Sequence, residues 1–328
     1  MSVWTRCLTL SAALIAAIVI AGPASAQTKL KWAHVYEITE PYHTEALWAA
    51  NEIKKRTNGK YDIEVFPLSQ LGNENQINEG LGLGTVDIIY TGASFAGSIY
   101  KPLSITGAPF ILRDFDHWKA YRESKLFRDL AKGYEDKTGH KIVAILYYGQ
   151  RHVTANKEIK KPEDMKGMKL RVPPAPLYLM LAKSVGANAT PIAFAEVYLA
   201  LQQGTVDGQE NPLPTIMAKK FYEVQSHVML TGHIIESLLT IVGTHVWSKL
   251  SDADKKVFDE VLVQAAAKSS DQIRESEQKI ADQLRQLGKT VVQVDREAFR
   301  KAAIPLHNDA SAGAGWSQAE YDTLQALK

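Results

Sequence analysis

The sequence predicts an α/β protein of two lobes with one long helix crossing both. Three observations carry the prediction. Strand and helix patterns alternate from residue 28 to residue 90 in the order of a doubly wound lobe. The same grammar returns between 141 and 212, and from Ser251 to Leu287 the chain contains neither proline nor glycine.

In order along the chain, KLKWAHVYE is an apolar-rich strand ending near His34. Pro41 to Thr57 has helical apolar spacing (Ala46, Ala49, Ala50, Ile53) and stops at Asn58-Gly59, a helix-stop and turn signal. YDIEVFP alternates as a strand up to Pro67, Gln76 to Leu83 is a helix, and VDIIY is a buried strand. KIVAILYY (141–148) and MKLRV (168–172) are strands of the second half. Leu177 to Val185 is a helix closed by Gly186, and Phe194 to Gln203 one closed by Gly204. The four residues GTVD occur at 84–87 and again at 204–207, running into IIYTG the first time and GQENPLP the second. In both, glycine suits the left-handed position past a helix end and Thr-Val-Asp leads into a strand, which supports two similarly wound lobes.

Ser251 with Asp254 forms a capping box for the last long element. Val257, Val261, Ala265, Ile273, Ile280, Leu284 and Leu287 recur at helical steps. At ~1.5 Å per residue this helix spans about 55 Å, more than one small lobe needs. A coiled-coil dimer is the competing reading, but Ser269 and Ser276 interrupt its seam, and a monomer is expected.

Ahead of this lies MSVWTRCLTLSAALIAAIVIAGPASA, with one positive charge, a short apolar run and Ala24-Ser25-Ala26 as a small-residue cleavage site. It reads as an export signal cut after Ala26, short for a bilayer span of about 20 apolar residues. The lone cysteine, Cys7, precedes the apolar run, so the exported chain has neither disulfide nor thiolate metal site. A formal net charge of +2 gives no nucleic-acid or membrane-surface signature.

Catalytic patterns are missing: there is no G-x-S-x-G, H-E-x-x-H or P-loop. GLGLG leaves a helix and enters a strand, the reverse of a dinucleotide loop. The nine histidines form no metal-like cluster, so neither metal nor cofactor is expected. Two carboxylates brought together from distant positions would make a carbohydrate hydrolase or lyase, which stays as the enzyme alternative.

Open α/β sheets bind ligands beyond the carboxyl ends of their strands. Those ends offer His34, Tyr90, Tyr148, Gly149-Gln150-Arg151, Arg171 and Glu210-Asn211-Pro212. Arginine presents a planar fork that matches a carboxylate. Arg171 lies between Leu170 and Val172-Pro173-Pro174, in a strand that should be half buried, so it needs an anion, either an internal acid or a ligand.

The stretches MKGMKLRVPPAP, VGANATPIAFAEVYLALQQGTVDGQENPL and AKKFYEVQ resemble the solute-binding subunits of tripartite ATP-independent periplasmic (TRAP) transporters. FPLSQLGNENQ, GLGLGTVDI and the helix opening LSDADKKVF do so too, and the resemblance covers essentially all of the chain after residue 26. It implies a two-lobed, hinged periplasmic binding protein without catalytic activity, which hands an organic anion to a separate membrane permease. It implies lobes of 27–148 with 237–270 and of 149–236 with 271–328. By the same resemblance Arg171 is the main partner of a ligand carboxylate, and Arg151, Asn211 and Phe194 are further pocket positions. His34 and Glu74 fall where other members place polar contacts. Gly92 and Phe95 stand where sialic-acid-binding members have a glutamate and an arginine, whereas WAHVYEITEPYH and YYGQRHVTANK look more like members that take up hexuronates. A hexuronate such as D-glucuronate or D-galacturonate is therefore expected, with a four-carbon dicarboxylate as the alternative.

Overall fold

The computed structural model describes residues 27–328, so the export signal, Cys7 and the cut after Ala26 lie outside the described residues. The strands are β1 (Thr28–Ala33), β2 (Tyr61–Phe66), β3 (Ile88–Gly92), β4 (Lys141–Ala155), β5 (Lys169–Val172), β6 (Asn188–Pro191), β7 (Gly208–Pro212), β8 (His227–Val242) and β9 (Thr290–Val292). They form one continuous sheet in the order β2-β1-β3-β8-β4-β7-β5-β6, with β9 beside β8. Each lobe is wound on its own parallel group, β2-β1-β3 in one and β7-β5-β6 in the other. The two long strands β4 and β8 run antiparallel through both, from Lys141 opposite Val242 to Ala155 opposite His227.

That continuity departs from the sequence reading. KIVAILYY does not end at Tyr148, because Gly149, Gln150 and Arg151 carry the strand on to Ala155. Gly149 reads as a stop signal, yet its φ of +119° marks an irregularity within the strand, where the register against β8 shifts between Tyr147 and Gly149. β3 likewise runs past Tyr90 to Gly92.

The two GTVD segments build the same joint. Gly84 and Gly204 have φ of +74° and +68°, the left-handed turn past a helix end. In the first copy the Asp87 N–H donates to the Lys31 carbonyl at 3.0 Å, and the Asp87 carboxylate accepts the Lys31 N–H at 2.7 Å. In the second, Asp207 N–H donates to Lys169 O at 2.9 Å and its carboxylate accepts from Lys169 N at 2.7 Å. Each valine is buried under its own lobe. The aspartate thus clasps the backbone of the neighbouring strand, at Lys31 of β1 and at Lys169 of β5, fixing where β3 and β7 enter the sheet.

The long helix spans Asp252–Gln286, with the Ser251 hydroxyl accepting from Asp254 N–H. It packs on the helix Pro41–Arg56 near its start, crosses β4, and meets the helix Leu213–Ala218 and β9 further on. Its buried stripe opens at Phe258 and closes at Leu284; Leu287, counted in the sequence pattern, is exposed because the helix has already ended. Ser269 and Ser270 are buried in mid-helix. The Ser270 hydroxyl accepts the Tyr147 N–H at 2.9 Å, and Glu277 accepts from Gln150 N–H at 2.6 Å and from the Tyr147 hydroxyl at 2.8 Å. These polar groups accept the Tyr147 and Gln150 N–H donors that flank the irregularity in β4.

A Cβ on Gly204 meets nothing within 4 Å, whereas one on Gly149 meets the Pro212 Cβ at 2.8 Å and Glu277 Oε1 at 3.0 Å. Gly204→Ala is accordingly expected to cost the left-handed penalty of about 1–2 kcal/mol alone. Gly149→Ala should cost more, since it adds the clash to the strain. Urea unfolding of the two variants measures both.

Candidate functional site

Between the lobes lies a small cavity of about 20 Å³, room for roughly one water molecule. Tyr36, Glu74, Gly92 and Phe95 reach it from the first lobe, Arg171, Pro173, Tyr178, Phe194 and Asn211 from the second, and Tyr148, Arg151 and Leu238 from the crossing strands. The lobes touch around it. Lys219 pairs with Glu37 at 2.7 Å, and Thr215 donates to Glu40 at 2.6 Å. A solute larger than water can therefore enter only when the lobes part.

Arg171 is 1% exposed. Its Nε and Nη2 both donate to the Ile192 carbonyl, at 2.9 and 2.6 Å, while Nη1 is buried without a partner. It makes no ion pair among the described residues. Burial lowers its pKa to about 10, with the fields of Glu74 and Glu210 opposing the fall, so it stays charged at neutral pH. A buried guanidinium with an unpartnered N–H, bordering a cavity, has the chemistry to take an anion.

Arg151 is different. Its Nε and Nη2 donate to both carboxylate oxygens of Glu210 at 2.5 and 2.8 Å, Nη2 also reaches the Glu210 carbonyl at 2.8 Å, and Nη1 lies 3.7 Å from Glu236. His233 Nε2 completes the cluster 3.0 Å from Glu210. Burial opposes ionisation of Glu210, yet Arg151 and His233 overcome it and hold its pKa near about 2. Glu236 is pushed up to about 7 by burial, because Arg151 is farther from it and Glu210 repels it. The sequence reading places Arg151 as a ligand contact; it borders the cavity, but its charge is already matched by the chain.

Glu74, at the first turn of the helix Glu74–Leu83, lines the cavity with Oε2 unpartnered, its pKa raised by burial against the pull of Arg171. Tyr148, Phe194 and Asn211 line it as well. Asn211 accepts from Arg151 at 3.4 Å and donates to Gln209 at 2.5 Å. His34 and Tyr90 do not line it. His34 Nδ1 accepts the Tyr36 N–H at 3.2 Å, which leaves the proton on Nε2, donated to His43 at 3.1 Å. The ring is thereby used up in holding Tyr36 in place, stacked on it at 5.9 Å. Tyr90 packs against Trp32 at 4.9 Å, inside the lobe.

Tyr36 and Tyr178 escape the sequence reading. Nothing in VYE or APLY distinguishes a pocket tyrosine from a core one, and both are nearly as buried as the core. The tight fit of Tyr178 does leave a trace at Gly92, where a Cβ would stand 2.9 Å from the Tyr178 hydroxyl.

Two measurements follow. Arg151→Ala strands the buried Glu210 carboxylate and should cost the ligand-free fold about 3–5 kcal/mol, read by denaturant unfolding. Burial and the His43 field lower the His34 pKa to about 3, while the unfolded chain binds that proton near 6.5. Below ~6.5 the unfolded state then holds more protons, so His34 makes stability fall as pH drops from there towards 3. Replacing it by Gln should flatten the slope of melting temperature against pH in that window.

Comparison with known proteins agrees with this geometry. Residues 32–313 match the model for bacterial extracellular solute-binding proteins, family 7 (DctP). The sialic acid-binding periplasmic protein SiaP of Vibrio cholerae is 32% identical over 94% of this chain and 96% of its own. A TRAP periplasmic solute-binding protein from Polaromonas sp. JS666, solved with D-erythronate, superposes with a TM-score of 0.87 at 34% identity, covering 92% of this chain and 99% of that one. One from Roseobacter denitrificans, solved with L-galactonate, gives 0.85 at 30% identity over 92% and 98%. With this sheet, this helix and this cleft, the chain belongs to family 7 of the bacterial extracellular solute-binding proteins, and it is a TRAP-type solute-binding protein rather than an enzyme.

Proposed function

We propose that the protein captures a hydroxylated monocarboxylic acid in the periplasm, a six-carbon sugar acid of the hexuronate kind such as D-glucuronate or D-galacturonate, and passes it to a TRAP membrane permease. The observation that carries this is the idle Nη1 of buried Arg171, a charge awaiting one carboxylate. Glu74 lines the same cavity with an idle oxygen, which favours a hydroxyl donor there and repels a second carboxylate. Four-carbon dicarboxylates are disfavoured on that count. The Polaromonas and Roseobacter relatives were solved with D-erythronate and L-galactonate, both polyhydroxylated monocarboxylates.

In this reading Arg171, Glu74, Asn211, Tyr148 and Phe194 contact the ligand, and Arg151 positions Asn211. The exported chain begins after Ala26 and acts as a monomer. The lobe boundaries fall at 148/149 and 236/237, in keeping with the pairing of Gly149 with Glu236 beside the irregularity in β4. The third, at 270/271, falls where Ser270 bonds Tyr147.

Arg171→Ala should weaken D-glucuronate binding by ~2–5 kcal/mol, roughly thirtyfold to several thousandfold. The ligand-free fold should lose only about 1–3 kcal/mol, for the Ile192 carbonyl left without its donor. Calorimetric titration with D-glucuronate, L-galactonate and succinate, beside thermal melts, reads both. Undiminished sugar-acid affinity in Arg171→Ala, or tighter binding of succinate than of either sugar acid by the wild type, overturns the proposal.

A further inference from the structure

The small cavity that Arg171 faces has a much larger neighbour. A second cavity of about 590 Å³ lies along the same cleft, bordered by Ser94 and Ser98 of one lobe and by Leu177, Leu179 and Lys183 of the other. The two share their walls. Gly92 and Phe95 border the inner cavity while Ser94, Gly97 and Ser98 border the outer, so one stretch of chain has a face in each. On the opposite side Pro173 and Tyr178 face inward while Pro176, Leu177 and Leu179 face outward.

Between them stands a pair of side chains. Tyr178 crosses from the second lobe so that its hydroxyl lies against Gly92, where even a Cβ would approach to 2.9 Å. Phe95 packs against it, ring centroids 5.8 Å apart, and the Arg151 guanidinium lies 5.1 Å from the Tyr178 centroid. Tyr178 is 4% exposed.

We propose that Tyr178, backed by Phe95, is the partition that limits the carbon-chain length of the acid, and that the outer cavity accepts the polyol tail of a longer sugar acid once the partition is removed. This rests on the reading of Arg171 as the carboxylate receptor. An acid anchored there has its far hydroxyls stopped by the Tyr178 ring. The outer cavity has the chemistry for such a tail. Ser98 and Ser311 border it, and so does Lys183, which is held by Asp309 at 3.1 Å. The polar cavity bordered by Gln150 and His152 offers no such route. Those residues alternate with Arg151 along β4, so the strand backbone itself separates it from the inner cavity.

The test is a titration series with L-galactonate, a six-carbon acid, and 3-deoxy-D-manno-octulosonate, an eight-carbon one. The readout is the ratio of their dissociation constants. Wild type should favour L-galactonate at least hundredfold. Tyr178→Ala should shrink that ratio at least tenfold, Phe95→Ala should shrink it less, and Tyr178→Phe, which keeps the ring, should leave it as in wild type. Tyr178→Leu, which retains apolar packing with a smaller side chain, carries the same expectation as Tyr178→Ala if the latter melts below assay temperature. Equal affinity of wild type for the two acids overturns the partition, as does an unchanged ratio in the Tyr178 variants while L-galactonate still binds. Failure of wild type to bind either acid is a different result: it overturns the sugar-acid reading itself, and the partition with it.

Discussion

Two guanidinium groups buried in one cleft repel each other, and the fold tolerates them because Arg151 receives its counter-charge from the next strand while Arg171 does not. The β4–β7 pairing supplies the reason. Glu210 stands opposite Val153, and Arg151 and Val153 share a face of β4, so the glutamate is a diagonal neighbour of the arginine. A bidentate pair forms there almost by geometry. Arg171, two strands away on β5, meets no acid and rests on the Ile192 carbonyl. The two cations therefore differ: one completes the protein's own electrostatics, and the other is the one the proposed function assigns to a carboxylate.

An acid reaches Arg171 only if the cleft opens, and the crossing strands bear on that. β4 and β8 tie the lobes through a ladder whose register shifts at Ile142–Ala144, Tyr147–Gly149 and Arg151–Val153. A regular ladder resists bending. Beside the shift at Tyr147–Gly149, Ser270 and Glu277 of the long helix accept the Tyr147 and Gln150 N–H groups, which keeps those donors satisfied where the ladder is least regular. The contacts that must break on opening are few, and the Lys219–Glu37 pair is part-exposed, so each of its ions regains water when the lobes separate. A ligand bridging groups of both lobes, as the proposed function requires, would then supply most of the free energy of closure.

The residues show what a sequence can and cannot reveal here. Both GTVD joints were legible because their chemistry is local: a left-handed glycine and an aspartate reaching the adjacent strand. The burial of Arg171 was legible because a charged residue inside an apolar strand is conspicuous. The extension of β4 through Gly149 was not, since the glycine that usually ends a strand sits in one whose irregularity is stabilised by Glu277, 128 positions on. His34 was misjudged for a related reason. Its position at a strand end suits a ligand contact, but its hydrogen-bonding capacity is consumed by Tyr36 and by His43, nine residues away. Tyr36 and Tyr178 were invisible because a phenol in a pocket and one in a core share the same local pattern; only the partner across the cleft tells them apart.

Selectivity in such a cleft comes in layers set by what each wall can leave unsatisfied. Tyr36, Tyr148, Tyr178 and Phe194 supply apolar faces on which the carbon skeleton of a sugar can lie. Those faces discriminate weakly, since apolar contact is indifferent to the placing of a hydroxyl. Discrimination falls to the polar atoms between them. Under the proposed function Arg171 selects for one carboxylate, because without it a desolvated cation remains with an idle donor. Glu74 requires a donor, because a second anion there adds repulsion to an already unfavourable buried charge. An acid with one carboxylate and several hydroxyls satisfies both conditions at once. A dicarboxylate satisfies the first and violates the second, and a hydrocarbon acid satisfies the first and leaves Glu74 without a partner. On the proposed function, charge number is then decided at Arg171 and Glu74, and chain length by whatever fills the cleft beyond them.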